Sequence, residues 1–199
     1  MEYNDLNVKP RQYQEEIYES CKQKNCLVVL PTGTGKTLIA IMLSLYKFRK
    51  EPLKKILILA PTRPLVEQHL ESFKKLIKPL NEEPTWASLE LFTGKTKAEK
   101  RKKLWRSAEF IFSTPQCISN DIKNNLYSLE DISLLIEDEA HRCLKNYSYN
   151  FIVQKYKEQA SQPHILGLTA SPGADKETIS KICSNLGIKS VELRTRESE

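Results

Sequence analysis

Apolar residues in this chain come in short continuous runs, each followed by a longer stretch in which apolar positions recur every third or fourth residue. The runs are CLVVL at 26–30, KILILA at 55–60, LELF at 89–92, EFIFS at 109–113, SLLIE at 133–137, HILGLT at 164–169 and IKSVEL at 188–193. Several lack alternation in polarity, as expected of parallel strands covered on both faces. The stretches 10–23, 37–50, 64–78, 96–107, 116–126, 141–159 and 175–186 carry helical spacing. Strand and helix in alternation predict one α/β domain, an open, mostly parallel sheet with helices on both faces. All ten prolines fall at predicted element ends, and no repeat, low-complexity tract or linker interrupts the pattern.

Sheets of this kind bind ligands at the carboxyl ends of their strands. Read in order, those ends are PTGTGKT, APTRP, FTGK, STPQ, EDEAH and LTASPG, all of them polar, small or charged. Glycine is scarce, with six in 199 residues, yet Gly33 and Gly35 stand together, which points to a backbone geometry only glycine adopts easily. They lie in the loop Pro31, Thr32, Gly33, Thr34, Gly35, Lys36, Thr37, between a strand and the apolar helix LIAIMLSLYKF. Such a loop turns successive N–H groups toward an anion at the helix N-terminus. Lys36 reaches the β- and γ-phosphates of a nucleotide and the Thr37 hydroxyl ligates Mg²⁺, so the loop predicts a P-loop NTPase. Leu30 stands where the generic pattern has its first glycine. A second carboxylate comes from SLLIEDEAH: Asp138 is expected to hold the metal through water, and Glu139 to orient the attacking water. Glu137 occupies a position where an apolar or small residue is expected, and the sequence leaves open whether it helps hold metal or faces a wet edge.

Composition narrows the class further. Leu, Ile, Val and Phe make up 53 of 199 residues, above the roughly one-fifth below which chains tend to stay disordered. LIAIML and ILILA, the longest apolar runs, fall far short of the roughly 18 residues of a membrane span. The start, MEYNDLNVKP, has no leader-like pattern, so no targeting segment is expected. A net charge of +6 permits a polyanionic partner without requiring one. Cys21, Cys26, Cys117, Cys143 and Cys183, odd in number and without CxxC spacing, read as buried thiols rather than disulfides or zinc ligands,. The basic run KTKAEKRKKLWR at 95–106 reads as a solvated helix face, with Leu104 and Trp105 on its buried side.

PTGTGKT, APTRPLVEQH, FTGK, STPQ, DEAH and TAS, in this order, resemble motifs I, Ia, Ib, Ic, II and III of superfamily 2 helicases. RQYQEEIY, TPQCISNDI, SLEDISLLIEDEAHRCLKNYSYNFI and ILGLTASPG are most similar to the Hef/FANCM branch, with RIG-I-like sensors next. The resemblance implies a RecA-like fold, the first motor domain, over residues 1–199. It implies that Arg11 and Gln14 meet the adenine. It likewise implies that Pro61, Thr62, Arg63, Thr93, Gly94, Thr114, Pro115 and Gln116 contact nucleic-acid phosphates, a task suited to small hydroxyls and backbone N–H groups. Lys36, Asp138, Glu139 and His141 then form the catalytic set, and Thr169 and Ser171 join His141 in linking nucleotide state to grip.

Motors of this family close ATP between two RecA-like domains, the second supplying arginine fingers. Only 28 residues follow Ser171, so a second domain is expected to be absent here and hydrolysis by this chain alone to be poor. The implied parent is an ATP-dependent DNA helicase or translocase acting on forked or branched DNA in repair. It would be cytoplasmic, at the nucleoid, in a prokaryote and nuclear in a eukaryote. An RNA helicase or RIG-I-like RNA sensor is the nearest alternative, and a small P-loop kinase or a nucleotide-gated binding module lies further off.

Overall fold

The apolar runs become strands, and those inside the sheet are buried from both sides. A computed structural model describes residues 5–77, 87–145, 147–170 and 176–194. Its strands are β1 (Cys26–Val29), β2 (Lys55–Leu59), β3 (Leu89–Phe92), β4 (Phe110–Ser113), β5 (Ile132–Asp138), β6 (Ile165–Thr169) and β7 (Ser190–Leu193). They form one sheet in the order β3-β4-β2-β5-β6-β1-β7, with every pairing parallel. Every residue of β1, β2, β4, β5 and β6 is buried, whereas β7 at the sheet edge alternates between half-buried and exposed.

The helices are α1 (Gln12–Gln23), α2 (Lys36–Lys50), α3 (Arg63–Leu76), α4 (Ala98–Ser107), α5 (Pro115–Lys123), α6 (Tyr147–Gln159) and α7 (Lys176–Leu186). They divide by face. Ile17 of α1, Ile39 and Leu43 of α2 and Phe73 of α3 pack on Val28, Ile58, Phe112, Ile136 and Leu168. Trp105 of α4, Ile118 of α5, Tyr156 of α6 and Ile182 of α7 pack on Leu27, Leu57, Ile111, Leu135 and Ile165. The strand residues of the two sets alternate along each strand, as the period of two requires. Phe73 meets Phe112 edge-on at 5.0 Å between ring centres, a geometry that aligns ring edge with ring face. All five cysteines are free thiols, and four of them are buried. No helix among the described residues is long and apolar enough to cross a membrane.

One element differs from expectation. The stretch 141–159 is two pieces, a 3₁₀ turn Ala140–Leu144 followed by α6. Glu139 takes a left-handed backbone with φ of 51°, which starts the tighter turn. The Arg142 N–H then bonds to Glu139 O at 2.9 Å, and the Asn150 side chain caps the Cys143 carbonyl at 2.9 Å. Burial of Cys143 against the core holds that turn in place, so the helical spacing of the sequence runs across a real break.

His164, just before β6, ties the end of α1 to the sheet. Its Nε2–H donates to the carbonyls of Cys21 at 2.8 Å and Lys24 at 3.2 Å. Burial, with Lys47 nearby, pushes its pKa down to about 4 from 6.5. A folded value below the unfolded one means that the unfolded chain binds more protons between those two pH values. Stability is therefore full above 6.5 and declines as pH falls toward about 4, by about 3 kcal/mol across the window. Thermal melts at about pH 7.5 and about pH 5 should differ strongly in the parent chain and less in His164→Gln.

Candidate functional site

The loop Pro31–Lys36 leaves β1 and enters α2 through two residues no other side chain would suit. Gly33 and Gly35 have φ of 85° and 88°, a region that costs a side-chain-bearing residue energy. A Cβ on Gly35 would also stand 2.2 Å from Gln14 Nε2. The loop is held from α1: Tyr13 Oη donates to Thr34 O at 2.6 Å and Gln14 Nε2 donates to the same oxygen at 3.0 Å. Gln14, expected at a purine edge, uses its other amide end to accept the Arg11 N–H at 2.9 Å. Its amide thus joins α1 to the loop, and Arg11 stands exposed at the start of that helix.

Lys36 Nζ lies across the loop, donating to Leu30 O at 2.8 Å and Pro31 O at 3.2 Å. Burial pulls its pKa below the ordinary lysine value, and the carboxylates of Asp138 and Glu139 pull it back. This opposition arises from topology: only β6 separates the ends of β1 and β5. A cleft of about 390 Å³ opens there, lined by Thr32, Gly33, Lys36, Thr37, Asp138 and Glu139 among others. One wall carries a cation and a hydroxyl at a helix N-terminus, the other two carboxylates. That donor set suits a polyphosphate with a divalent cation, and Thr37 and Asp138 are the side chains able to hold the ion.

His69 of α3, which the sequence reading did not single out, reaches Asp138 Oδ2 at 2.8 Å. From the other face Tyr149 Oη donates to the backbone carbonyl of Asp138 at 2.9 Å, so the side chain and the backbone of this residue are each held by a separate partner. His141 Nδ1 lies 3.0 Å from Thr169 Oγ1 and 3.4 Å from Glu139 Oε2. Glu139, His141 and Thr169 therefore form one line of contact from β5 to β6. Ser171, expected beside Thr169, lies outside the described residues. Glu137 neither joins this line nor meets water. It is fully buried on the opposite face of β5, with both carboxyl oxygens lacking a hydrogen-bond partner among the described residues. Burial pushes its pKa well above the usual carboxylate range, opposed by Lys157, and its place on the far face of β5 keeps it away from the side on which Asp138 meets the cleft.

The other expected contacts sit on the same rim. Thr62 precedes α3, where Arg63 Nε donates to Glu67 Oε1 at 2.6 Å with both side chains substantially exposed. Pro61 is half-buried behind them. After β3, Thr93 is buried and its hydroxyl accepts the Lys95 N–H at 3.3 Å, which leaves Gly94 as the exposed residue. After β4, Thr114 and Pro115 open α5, and exposed Gln116 accepts a hydrogen bond from Ser148 Oγ at 3.0 Å. Phe92 pairs with Ser113 in register, which sets Thr93 and Thr114 side by side. Helix α4 buries Trp105, half-buries Leu104 and exposes most of its lysines, as the sequence suggested, but it also buries Arg101.

The sequence profile of the DEAD/DEAH box helicase family matches residues 11–179. An ATP-dependent DNA helicase MPH1 of Candida albicans is 38% identical over 192 residues, 96% of this chain and 16% of that protein. A DEAD-box ATP-dependent RNA helicase FANCM of Arabidopsis thaliana is 40% identical over 188 residues, 94% of this chain and 14% of that protein. The crystal structure of the Pyrococcus furiosus Hef helicase domain superimposes with a TM-score of 0.88 at 48% identity, covering 98% of this chain and 41% of that one. The chain thus spans less than half the length of each of these relatives.

Proposed function

Because the chain belongs to the DEAD/DEAH box helicase family, we propose that it is the first motor domain of a longer ATP-dependent DNA helicase or translocase. Forked or branched DNA met in repair is the proposed substrate, and a second RecA-like domain of the same protein the proposed partner. The observation that carries this reading is the single cleft in which Lys36 and Thr37 face Asp138 and Glu139. Membership of a helicase family leaves the small-kinase alternative without support.

In this reading Pro31–Thr37 cradles the phosphates of ATP, with Lys36 neutralising the β- and γ-oxygens, while Arg11 and Gln14 meet the adenine. Thr37 and Asp138 hold Mg²⁺, which when bound supplies positive charge to the transferring phosphoryl group. Glu139 orients water for in-line attack, and its left-handed backbone, φ 51°, is a strain of the kind that collects at such sites. His141 and Thr169, with Ser171, relay the state of the cleft toward the rim. Pro61, Thr62, Arg63, Thr93, Gly94, Thr114, Pro115 and Gln116 grip the nucleic-acid backbone, which lets a motor move without reading bases. Such a protein would work at the nucleoid in a prokaryote and in the nucleus in a eukaryote.

Grip on phosphates makes affinity fall with salt, and the slope reports the phosphates engaged. Titration of this chain with forked, duplex and single-stranded DNA, and with RNA of the same length, should give tightest binding to the fork. Arg63→Ala should weaken binding to every sequence alike and reduce the slope by about one. Tighter binding to RNA than to every DNA would favour the RNA helicase, the name the Arabidopsis relative carries. Binding indifferent to salt would overturn the reading.

A further inference from the structure

A buried charge network lies directly beneath the rim, outside the nucleotide cleft. Arg101 of α4 and Asp121 of α5 are paired, with 9% and 2% of their side chains exposed. The guanidinium donates from Nε to Asp121 Oδ2 at 2.6 Å and from Nη2 to Oδ1. Its third nitrogen, Nη1, donates to the carbonyls of Thr96 and, at 3.4 Å, Thr93. Tyr127 Oη donates to Asp121 Oδ2 at 2.7 Å, and its ring stacks on Trp105 with centres 3.8 Å apart. The Thr96 N–H closes the turn on Thr93 O at 3.0 Å.

Stability alone does not account for this arrangement. A buried ion pair is often no more stabilising than an apolar pair of the same volume. What the pair supplies is geometry: one rigid fork spans a carboxylate on α5 and two carbonyls of the loop after β3, which a lysine's point charge has no means to do. Those carbonyl oxygens, if turned outward, would repel a phosphate. Drawn inward, they leave the loop to present its exposed glycine, Gly94.

Resting on the nucleic-acid reading given above, we propose that Arg101 and Asp121 are positioning residues for backbone grip. They withdraw the Thr93 and Thr96 carbonyls from the rim and lock that loop to α5, whose first turn carries Thr114, Pro115 and Gln116. The pair touches neither nucleotide nor DNA. It fixes the spacing of two neighbouring contact loops.

The test compares the parent chain with Arg101→Met/Asp121→Leu, which replaces both charged groups by apolar side chains, and with Arg101→Lys, which keeps the charge and removes the fork. Each is titrated with a fluorescein-labelled single-stranded oligonucleotide across a salt series, beside an ATP analogue and a thermal melt. Both variants should bind the analogue like the parent, yet bind the oligonucleotide roughly tenfold more weakly. Their salt slope should be shallower by about 0.7 for each phosphate released, and amide exchange over residues 93–97 should be faster. If the double variant does not fold, Arg101→Lys decides by the same readings. Folded variants that share the parent's affinity and slope would overturn the positioning role alone. A parent chain whose binding is indifferent to salt would overturn the nucleic-acid reading and the positioning role with it.

Discussion

Mg-ATP turnover by this chain alone is expected to run about 10³–10⁵-fold below that of a longer protein in which a second RecA-like domain faces the same cleft. Phosphoryl transfer spreads negative charge over the equatorial oxygens, and catalysis consists mainly of positioning and neutralising that charge. Among the described residues that line the cleft, Lys36 is the single lysine or arginine, and it faces Asp138 and Glu139. A nucleotide and a metal can be held by such a set, but the lining offers the developing charge no second lysine or arginine among the described residues. An arginine brought from outside would supply it, at about 4–7 kcal/mol of transition-state stabilisation. Steady-state rates of the two proteins at saturating nucleotide check the ratio. Equal rates would show that the cleft is complete without a partner.

Lys36→Ala should lower turnover of that longer protein by about 10²–10³-fold, and weaken nucleotide binding as well. Nζ is half-buried and anchored on the carbonyls of Leu30 and Pro31, so it is held at the cleft rather than free to swing away from it. Alanine removes the charge and also leaves those two carbonyl oxygens directed at an incoming phosphate. The flanks of the site are secured separately, because Tyr13 and Gln14 hold Thr34 O from α1. The loop should therefore keep its shape, and a melt should show little change. Single-turnover kinetics together with titration of a fluorescent ATP analogue separate the loss of rate from the loss of binding. Unaltered rates would remove Lys36 from the mechanism.

The sheet, its seven strands and the P-loop were legible because each depends on local patterns: continuous apolar runs, two clustered glycines and a polar residue set at every strand end. The break between Leu144 and Tyr147 was not legible. It arises from the left-handed Glu139 and from Asn150 capping Cys143 O, and neither disturbs the helical spacing of apolar residues. His69 was missed because its contact with Asp138 spans 69 residues and depends on how α3 leans over β5. Arg101 was hidden inside a basic run that reads as a solvated face, and its buried partner lies 20 residues on. Glu137 looked like part of an acidic cluster. The alternation of a strand, which sends neighbours to opposite faces, separates it from Asp138 and buries it.

Simultaneous measurement of ATP-analogue binding and Mg-ATP turnover by this chain, with and without forked DNA and beside Lys36→Ala, tests the central claim most directly. The account predicts nucleotide binding that depends on Lys36, with negligible turnover in every sample. Brisk turnover by the chain alone, abolished in Lys36→Ala, would contradict it, because the chain would then be supplying its own transition-state cation.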